Sequence, residues 1–172
     1  MLRFARQVGF TLTEMLITLA LMAIVLALAV PSFSTWLMNH QIRNAADTAM
    51  ASLQLARAEA IRTNTSVRLS FDASTKKIWQ ITRVDTSAVL QQKNFAEDAP
   101  KVTITPTPST VTTITFNGLG RISDATPLTQ LDFDSTTIPA ADSKDMRITL
   151  QTGGAMKLCD PNVTSSTDPR KC

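Results

Sequence analysis

Residues 10–30 read FTLTEMLITLALMAIVLALAV, and this apolar run contains a single ionisable side chain, Glu14. A helix of this length extends roughly 31 Å, which is enough to cross the hydrocarbon core of a bilayer. Residues 63–172, by contrast, are rich in Thr, Ser, Asp and Pro. The chain of 172 residues has room for one compact domain and an appendage. The sequence therefore predicts a membrane helix followed by a soluble domain.

The residues before the apolar run predict its orientation. Residues 1–9, MLRFARQVG, contain Arg3 and Arg6, and positive charges favour the cytoplasmic side of a membrane. An ordinary secretory signal ends in a small-residue cleavage site after a shorter apolar region. No convincing site of that kind follows here, because the run leads directly into more helix. We therefore expect a single-pass inner-membrane protein whose C-terminal part is periplasmic.

Glu14 is costly at its position. A carboxylate at the centre of a membrane costs about 2.5 to 3.5 kcal/mol on insertion scales, and such residues usually mark a functional partner. The place of Glu14 near the helix end lowers this cost, since its side chain can reach the headgroups. Two interpretations follow, a tolerated interfacial acid and a carboxylate with a partner, and the surrounding residues favour the second.

The string GFTLTE (9–14) resembles the type III signal of type IV prepilins and type II secretion pseudopilins. The resemblance implies that a prepilin peptidase cuts after Gly9 and that Phe10 becomes the N-methylated first residue. It further implies that Glu14 meets the terminal amine of a neighbouring subunit. The partners implied are the prepilin peptidase, other minor and major pilins, and the inner-membrane assembly platform. Neutralisation of a buried charge would then select the register between subunits.

Pro31 follows the apolar run and predicts a kink, because proline removes an amide donor and leaves the Ala27 carbonyl without its usual partner. The alternative is a plain helix end. From Ile42 onward the apolar residues recur at core spacing, which predicts that the helix continues to about Thr63 and ends at Asn64 or Thr65. The predicted core face consists of Ile42, Ala46, Ala49, Leu53, Ala56 and Ala60. The predicted parts are a leader (1–9), a transmembrane and filament-core helix (10–31), an amphipathic half (32–63) and a β-rich domain (64–172).

After residue 63 the apolar period changes to two, which is typical of β-strands. Turn residues such as Asp72, Pro106 and Gly118 separate the runs. Since no helices intervene, the pattern predicts an antiparallel α+β arrangement. The intervals 85–100 and 135–144 are interpreted as loops whose apolar members could form short edge strands. The predicted strands are 66–71, 77–84, 101–105, 111–116, 128–134 and 145–150.

Two internal strings carry a narrower resemblance. LQLARAEAIRTNTSVRLSF (53–71) is similar to the signature of the GspH/FimT/FimU family, and TFNGLGRI (115–122) resembles its later strand and turn. The resemblance implies a pilin-like fold, in which a long N-terminal helix packs on an antiparallel β-sheet domain.

The two cysteines, Cys159 and Cys172, both lie near the C-terminus. In an exported protein such a pair indicates one disulfide that closes a short loop. In a cytosolic protein the same pair would be two free thiols, so this prediction depends on export.

Catalysis is not predicted. The single histidine, His40, follows the membrane segment, the chain has no tyrosine, and no Cys, His or carboxylate cluster has the spacing of a metal site or an activated nucleophile. We therefore expect no enzyme activity, no catalytic residue, no metal and no cofactor.

Nucleic-acid binding ranks below a structural role. Some FimT-like pilins bind DNA through a C-terminal Gly-Arg-x-Arg motif, but the matching residues here are GAMK (154–157). Lys157, Arg170 and Lys171 could still gather when the disulfide closes, because phosphate binding draws on clustered cations. Asp160 and Asp168 dilute them.

Three functions stay open at this point. The first is a minor pilin that primes or caps a type IV pilus and supports twitching motility. The second is a DNA-binding pilin for natural transformation, and the third is an H-type pseudopilin of type II secretion. The loop LCDPNVTSSTDPRKC (158–172) resembles the pilus members more than the secretion members, so the minor pilin ranks first.

Overall fold

The computed structural model describes residues 10–172. The predictions for the leader, including the cut after Gly9, lie outside the described residues. The chain divides into two compact units between residues 36 and 37. The first helix, α1 (Leu12–Thr63), contributes its N-terminal part to the first unit and its C-terminal part to the second.

α1 continues through Pro31, so the alternative that the helix ends at the proline is wrong. The hydroxyls of Ser34 and Thr35 donate to the Pro31 carbonyl oxygen at 2.8 and 3.3 Å. Such back-bonding from Ser and Thr often accompanies bent helices. The predicted kink at Pro31 stays a prediction.

The C-terminal part of α1 buries one face in the second unit. All six predicted core residues are buried, and Met38, Ala45 and Ser52 are buried with them. The helix ends at Thr63, and Asn64 follows in the left-handed conformation with φ 50°. The Asn64 and Thr65 N–H groups donate to the carbonyls of Ile61 and Ala60, which is a Schellman motif. The predicted end of the helix is therefore confirmed.

Within residues 10–172, eight strands form two antiparallel four-stranded sheets, so the predicted α+β class is confirmed. The strands are β1 (Val67–Phe71), β2 (Ile78–Arg83), β3 (Val89–Asn94), β4 (Thr103–Thr107), β5 (Thr113–Phe116), β6 (Gln130–Asp134), β7 (Met146–Leu150) and β8 (Met156–Cys159), with a short helix α2 (Phe95–Asp98) after β3. The first sheet has the order β3-β2-β1-β5 and the second β4-β6-β7-β8.

Three local features differ from the sequence predictions. The interval 85–100 holds the edge strand β3, which the sequence allowed, but also the helix α2, which was not predicted, and β8 was not predicted either. Pro106, interpreted as a turn residue, lies buried inside β4. Proline is tolerated there because β4 is an edge strand of its sheet.

One hydrophobic core joins the C-terminal part of α1 to both sheets. An aromatic group from β1, β2 and α2 lies within it: Trp79 has its ring centroid 5.7 Å from that of Phe71 and 5.0 Å from that of Phe95. The Trp79 indole N–H donates to the Lys76 carbonyl at 2.7 Å, so the buried ring leaves no polar atom unsatisfied.

Candidate functional site

α1 begins with a reciprocal pair of hydrogen bonds. The Thr11 side-chain oxygen accepts from the Glu14 N–H at 3.3 Å. In return, Glu14 Oε2 accepts from the Thr11 N–H at 3.5 Å and from the Thr11 hydroxyl at 3.4 Å. This arrangement is a capping box, which satisfies two amide donors at the helix start. Glu14 therefore has a local role that the sequence analysis missed, although the spacing Thr-x-x-Glu was the signal for it.

The apolar side chains that follow Glu14 are exposed. Met15 is 62% and Leu28 75% exposed. Of the helices in residues 10–172, α1 is the one that is long and apolar enough to cross a membrane by length and composition, with a window of mean hydropathy 2.5 and none of it buried. Apolar surface of this extent is unfavourable in water. The segment therefore needs lipid or other apolar helices around it.

The C-terminal loop is closed by a disulfide between Cys159 and Cys172, whose Cα atoms are 5.1 Å apart. The Asp160 N–H donates to the Arg170 carbonyl at 2.7 Å. The backbones of Asp160 and Lys171 pair in a single parallel β-bridge. Cys159 ends β8 and is buried. The disulfide thus holds the last residues of the chain beside an edge strand.

The three cations predicted as weak DNA contacts gather around this loop, but each has an acceptor within the chain. The Lys157 amine donates to the Lys171 carbonyl at 2.7 Å, and the Lys171 amine donates to the Thr164 carbonyl at 3.0 Å. The Arg170 guanidinium makes two hydrogen bonds with Asp168, which lower the pKa of that carboxyl to about 2. The hydrogen bonds of all three cations are therefore satisfied within the chain, without an external ligand.

Gly154 is the first residue of GAMK (154–157), the degraded form of the Gly-Arg-x-Arg DNA motif, and it has a structural role. Its φ is +83°, and a Cβ there would lie 1.9 Å from the Gly120 carbonyl oxygen. That oxygen accepts a hydrogen bond from Arg57 Nε at 3.0 Å. Gly154 is thus required where the β7–β8 turn meets the 117–121 turn and α1.

The two strings that resemble the GspH/FimT/FimU signature meet in space. Arg57 belongs to the first string and Gly120 to the second, and the hydrogen bond between them joins α1 to the turn after β5. A Cβ on Gly118 would lie 2.5 Å from Asn64 Oδ1. This contact between Arg57 and Gly120 was not predicted from the sequence.

Nothing in residues 10–172 gathers three or more His, Cys, Asp or Glu side chains in a way that could hold a metal ion. His40 lies on the exposed side of α1. The described features of functional interest are therefore the capped apolar helix and the cationic surface beside the disulfide.

A family model described as "Type II transport protein GspH" matches residues 45–154, which is more than half of the chain. The chain belongs to the GspH family. A second model, the prokaryotic N-terminal methylation motif, matches residues 5–30 of this GspH-family protein. The match includes the capping box and the whole apolar run of residues 10–30.

Solved structures of two pilin-like proteins share the fold. The type IV minor pilin FimU of Pseudomonas aeruginosa is 20% identical, with a TM-score of 0.56, and the match covers 73% of this chain and 96% of FimU. The minor pseudopilin EpsH of the Vibrio cholerae Type 2 Secretion System is 17% identical, with a TM-score of 0.54, and the match covers 72% of this chain and 99% of EpsH. No curated protein sequence matches significantly. The GspH-family protein therefore has the pilin-like fold of minor pilins and pseudopilins.

Proposed function

We propose that this GspH-family protein is a minor pilin of a type IV pilus, which enters the fibre and primes or caps it. The observation that carries the proposal is the exposed apolar part of α1, headed by the Thr11–Glu14 capping box. A helix with this surface can exchange lipid for the apolar helices of other subunits. A folded α+β domain on the same helix would then decorate the fibre.

The proposal includes processing at the start of the chain. The prepilin peptidase cuts after Gly9 and methylates Phe10. Before assembly the protein is anchored in the inner membrane, with residues 37–172 in the periplasm. The match to the N-terminal methylation motif supports this step. Mass spectrometry of the fibre-bound protein tests it: the expected first residue is methylated Phe10, and an intact Met1 would contradict the proposal.

Assembly then depends on the charge of Glu14. In the apolar interior of a fibre a lone carboxylate is penalised, so the amine of methylated Phe10 on a neighbouring major or minor pilin would neutralise it. The capping box holds the Glu14 carboxylate against Thr11, the residue next to the new N-terminus of its own chain. The fixed position favours one register between subunits.

A second candidate is an H-type pseudopilin of type II secretion, which the family description and the likeness to EpsH favour. Deletion of the protein separates the two. A pilus role predicts loss of surface fibres and twitching with normal secretion, whereas a pseudopilus role predicts folded exoproteins trapped in the periplasm with normal twitching. The second pattern would overturn the ranking.

DNA capture ranks third because the predicted cations are occupied within the chain and Asp160 and Asp168 lie among them. A gel-shift assay with duplex DNA tests this ranking. We expect no shift at physiological salt, and a shift abolished by Lys157→Ala would reinstate DNA binding.

A further inference from the structure

A recess of about 290 Å³ opens in the second unit, within residues 37–172. Four parts of the chain meet there: α1, the loop before β7, β8 and the loop closed by the disulfide. Arg43, Lys144 and Arg170 contribute three cations to its lining, against one carboxylate from Asp160. Met146 and Leu158 add an apolar wall. The lining therefore combines excess positive charge with an apolar surface.

The position of Lys144 is fixed by a two-point clamp from α1. Asn39 Nδ2 donates to the Asp142 carbonyl at 2.9 Å, and Asn39 Oδ1 accepts from the Lys144 N–H at 2.8 Å. Between them Ser143 is buried and donates to Asp134 and Asp145. The backbone that carries Lys144 is thus held from both sides, so a ligand would meet a preformed wall.

Two of the three cations, Lys144 and Arg43, can donate further hydrogen bonds to a ligand. No hydrogen bond or ion pair is found for the Lys144 amine within the described residues 10–172. Arg43 has a single long ion pair, 3.7 Å to Asp47, and both side chains are more than half exposed. Such a pair contributes little. The Arg170 guanidinium is hydrogen-bonded to Asp168, so it contributes mainly a positive electrostatic potential to the recess.

We propose that this recess binds a carboxylate side chain from an acidic segment of a neighbouring polypeptide. Lys144 and Arg43 would donate to the carboxylate, and Met146 and Leu158 would contact the carbon atoms that carry it. Charge-assisted hydrogen bonds of this kind are stronger than neutral ones. The inference rests on the proposed function for the source of the segment, which would be another subunit of the fibre.

Duplex DNA fits the recess less well than a polypeptide. Affinity for DNA comes from cations spread along the phosphate backbone, whereas these cations converge on one small recess. Asp160 lies in its wall, and Asp47 and Asp168 flank its arginines. These carboxylates would repel a polyanion more than a single acidic side chain.

The test uses the full chain in uncharged detergent micelles at low ionic strength. The probe is a fluorescein-labelled peptide of alternating glutamate and alanine, its matched control has glutamine in place of glutamate, and binding is measured by anisotropy. We expect only the glutamate peptide to bind. Lys144→Gln and Arg43→Gln should each weaken its binding by about fivefold, and Lys101→Gln, an exposed cation outside the recess, should not.

Each other outcome would overturn the proposal. Equal binding of both peptides, no binding of either, or equal loss in the Lys101 variant would mean that the recess does not select carboxylates. Tighter binding of a fluorescein-labelled DNA duplex with the same dependence on Lys144 would assign the recess to nucleic acid. Peptide binding does not require a fibre, so failure here is distinct from failure of the proposed function, which mass spectrometry of the fibre-bound protein and the deletion phenotype test.

Discussion

Gly154 and Gly153 are adjacent in the β7–β8 turn but have different surroundings. A Cβ on Gly154 would clash with the Gly120 carbonyl, and its φ is +83°, whereas a Cβ on Gly153 meets nothing within 4 Å. Side chains are strained at such a φ. The glycine of the degraded DNA motif therefore serves the packing of two turns.

We predict that Gly154→Ala lowers the free energy of unfolding by about 1 to 3 kcal/mol, because the backbone of both turns must move. Gly153→Ala is the matched control and should change it by less than about 0.5 kcal/mol. Thermal unfolding followed by circular dichroism measures both. Equal effects of the two substitutions would contradict the proposed contact.

Asp72 predicts a pH dependence of stability. Burial raises the pKa of its carboxyl, but hydrogen bonds from the Ile78 and Thr75 N–H groups and from the Thr75 and Ser74 hydroxyls outweigh it and hold the pKa well below its ordinary value. This stabilisation is complete above the ordinary Asp pKa of about 3.9 and is lost as the pH falls below it toward the folded-state pKa.

We expect the free energy of unfolding of Asp72→Asn to fall less steeply than that of the wild type below a pH of about 4, because the substituted side chain does not titrate. Urea unfolding of the wild type and the variant across the acid range measures the slope. An unchanged slope would show that other carboxyls control the acid transition.

At the scale of elements, β8 and the loop after it depend on the disulfide. Cys159 and Cys172 are 13 residues apart in sequence, and Cys159 is buried whereas Cys172 is exposed. Cross-linking a loop of this length stabilises a fold by about 3 kcal/mol in the chain-entropy estimate. The disulfide thus contributes to the edge of the second sheet and to one wall of the recess.

Two substitutions separate the cross-link from packing. Cys172→Ala should lower the free energy of unfolding by about 3 kcal/mol through the lost cross-link alone. Cys159→Ala should cost more, because it also removes a buried side chain. Guanidinium unfolding under non-reducing conditions measures both, and a wild-type midpoint for Cys172→Ala would contradict the role given to the disulfide.

Helices and strands could be predicted from the sequence where burial gives their apolar residues a regular spacing. The face of α1 from Ile42 to Ala60 and strands β1 and β2 follow directly from the spacing of their apolar residues. β8 has four residues and β3 has little burial on either face, so neither gives an alternating pattern. The contact of Arg57 with Gly120 joins residues 63 positions apart, and no local period could indicate it.

At the scale of the whole molecule, the two units have opposite solvent requirements. Residues 37–172 bury a continuous core, whereas the apolar residues before Pro31 are exposed. Apolar surface of that extent needs lipid or other helices around it. The proposed function meets this requirement twice, with lipid around the segment before assembly and with other helices around it in the fibre, and Glu14 lies in this segment.

Entry of the Glu14→Gln variant into fibres measures whether assembly depends on the charge of Glu14. Glutamine retains the capping box of α1 and removes the charge, so this variant separates helix capping from pairing between subunits. The proportion of the variant in sheared fibres and in membranes is measured by immunoblotting, with wild type as the reference. We expect the variant to be present in membranes and strongly depleted from fibres, whereas a wild-type proportion in fibres would show that assembly does not need the charge of Glu14.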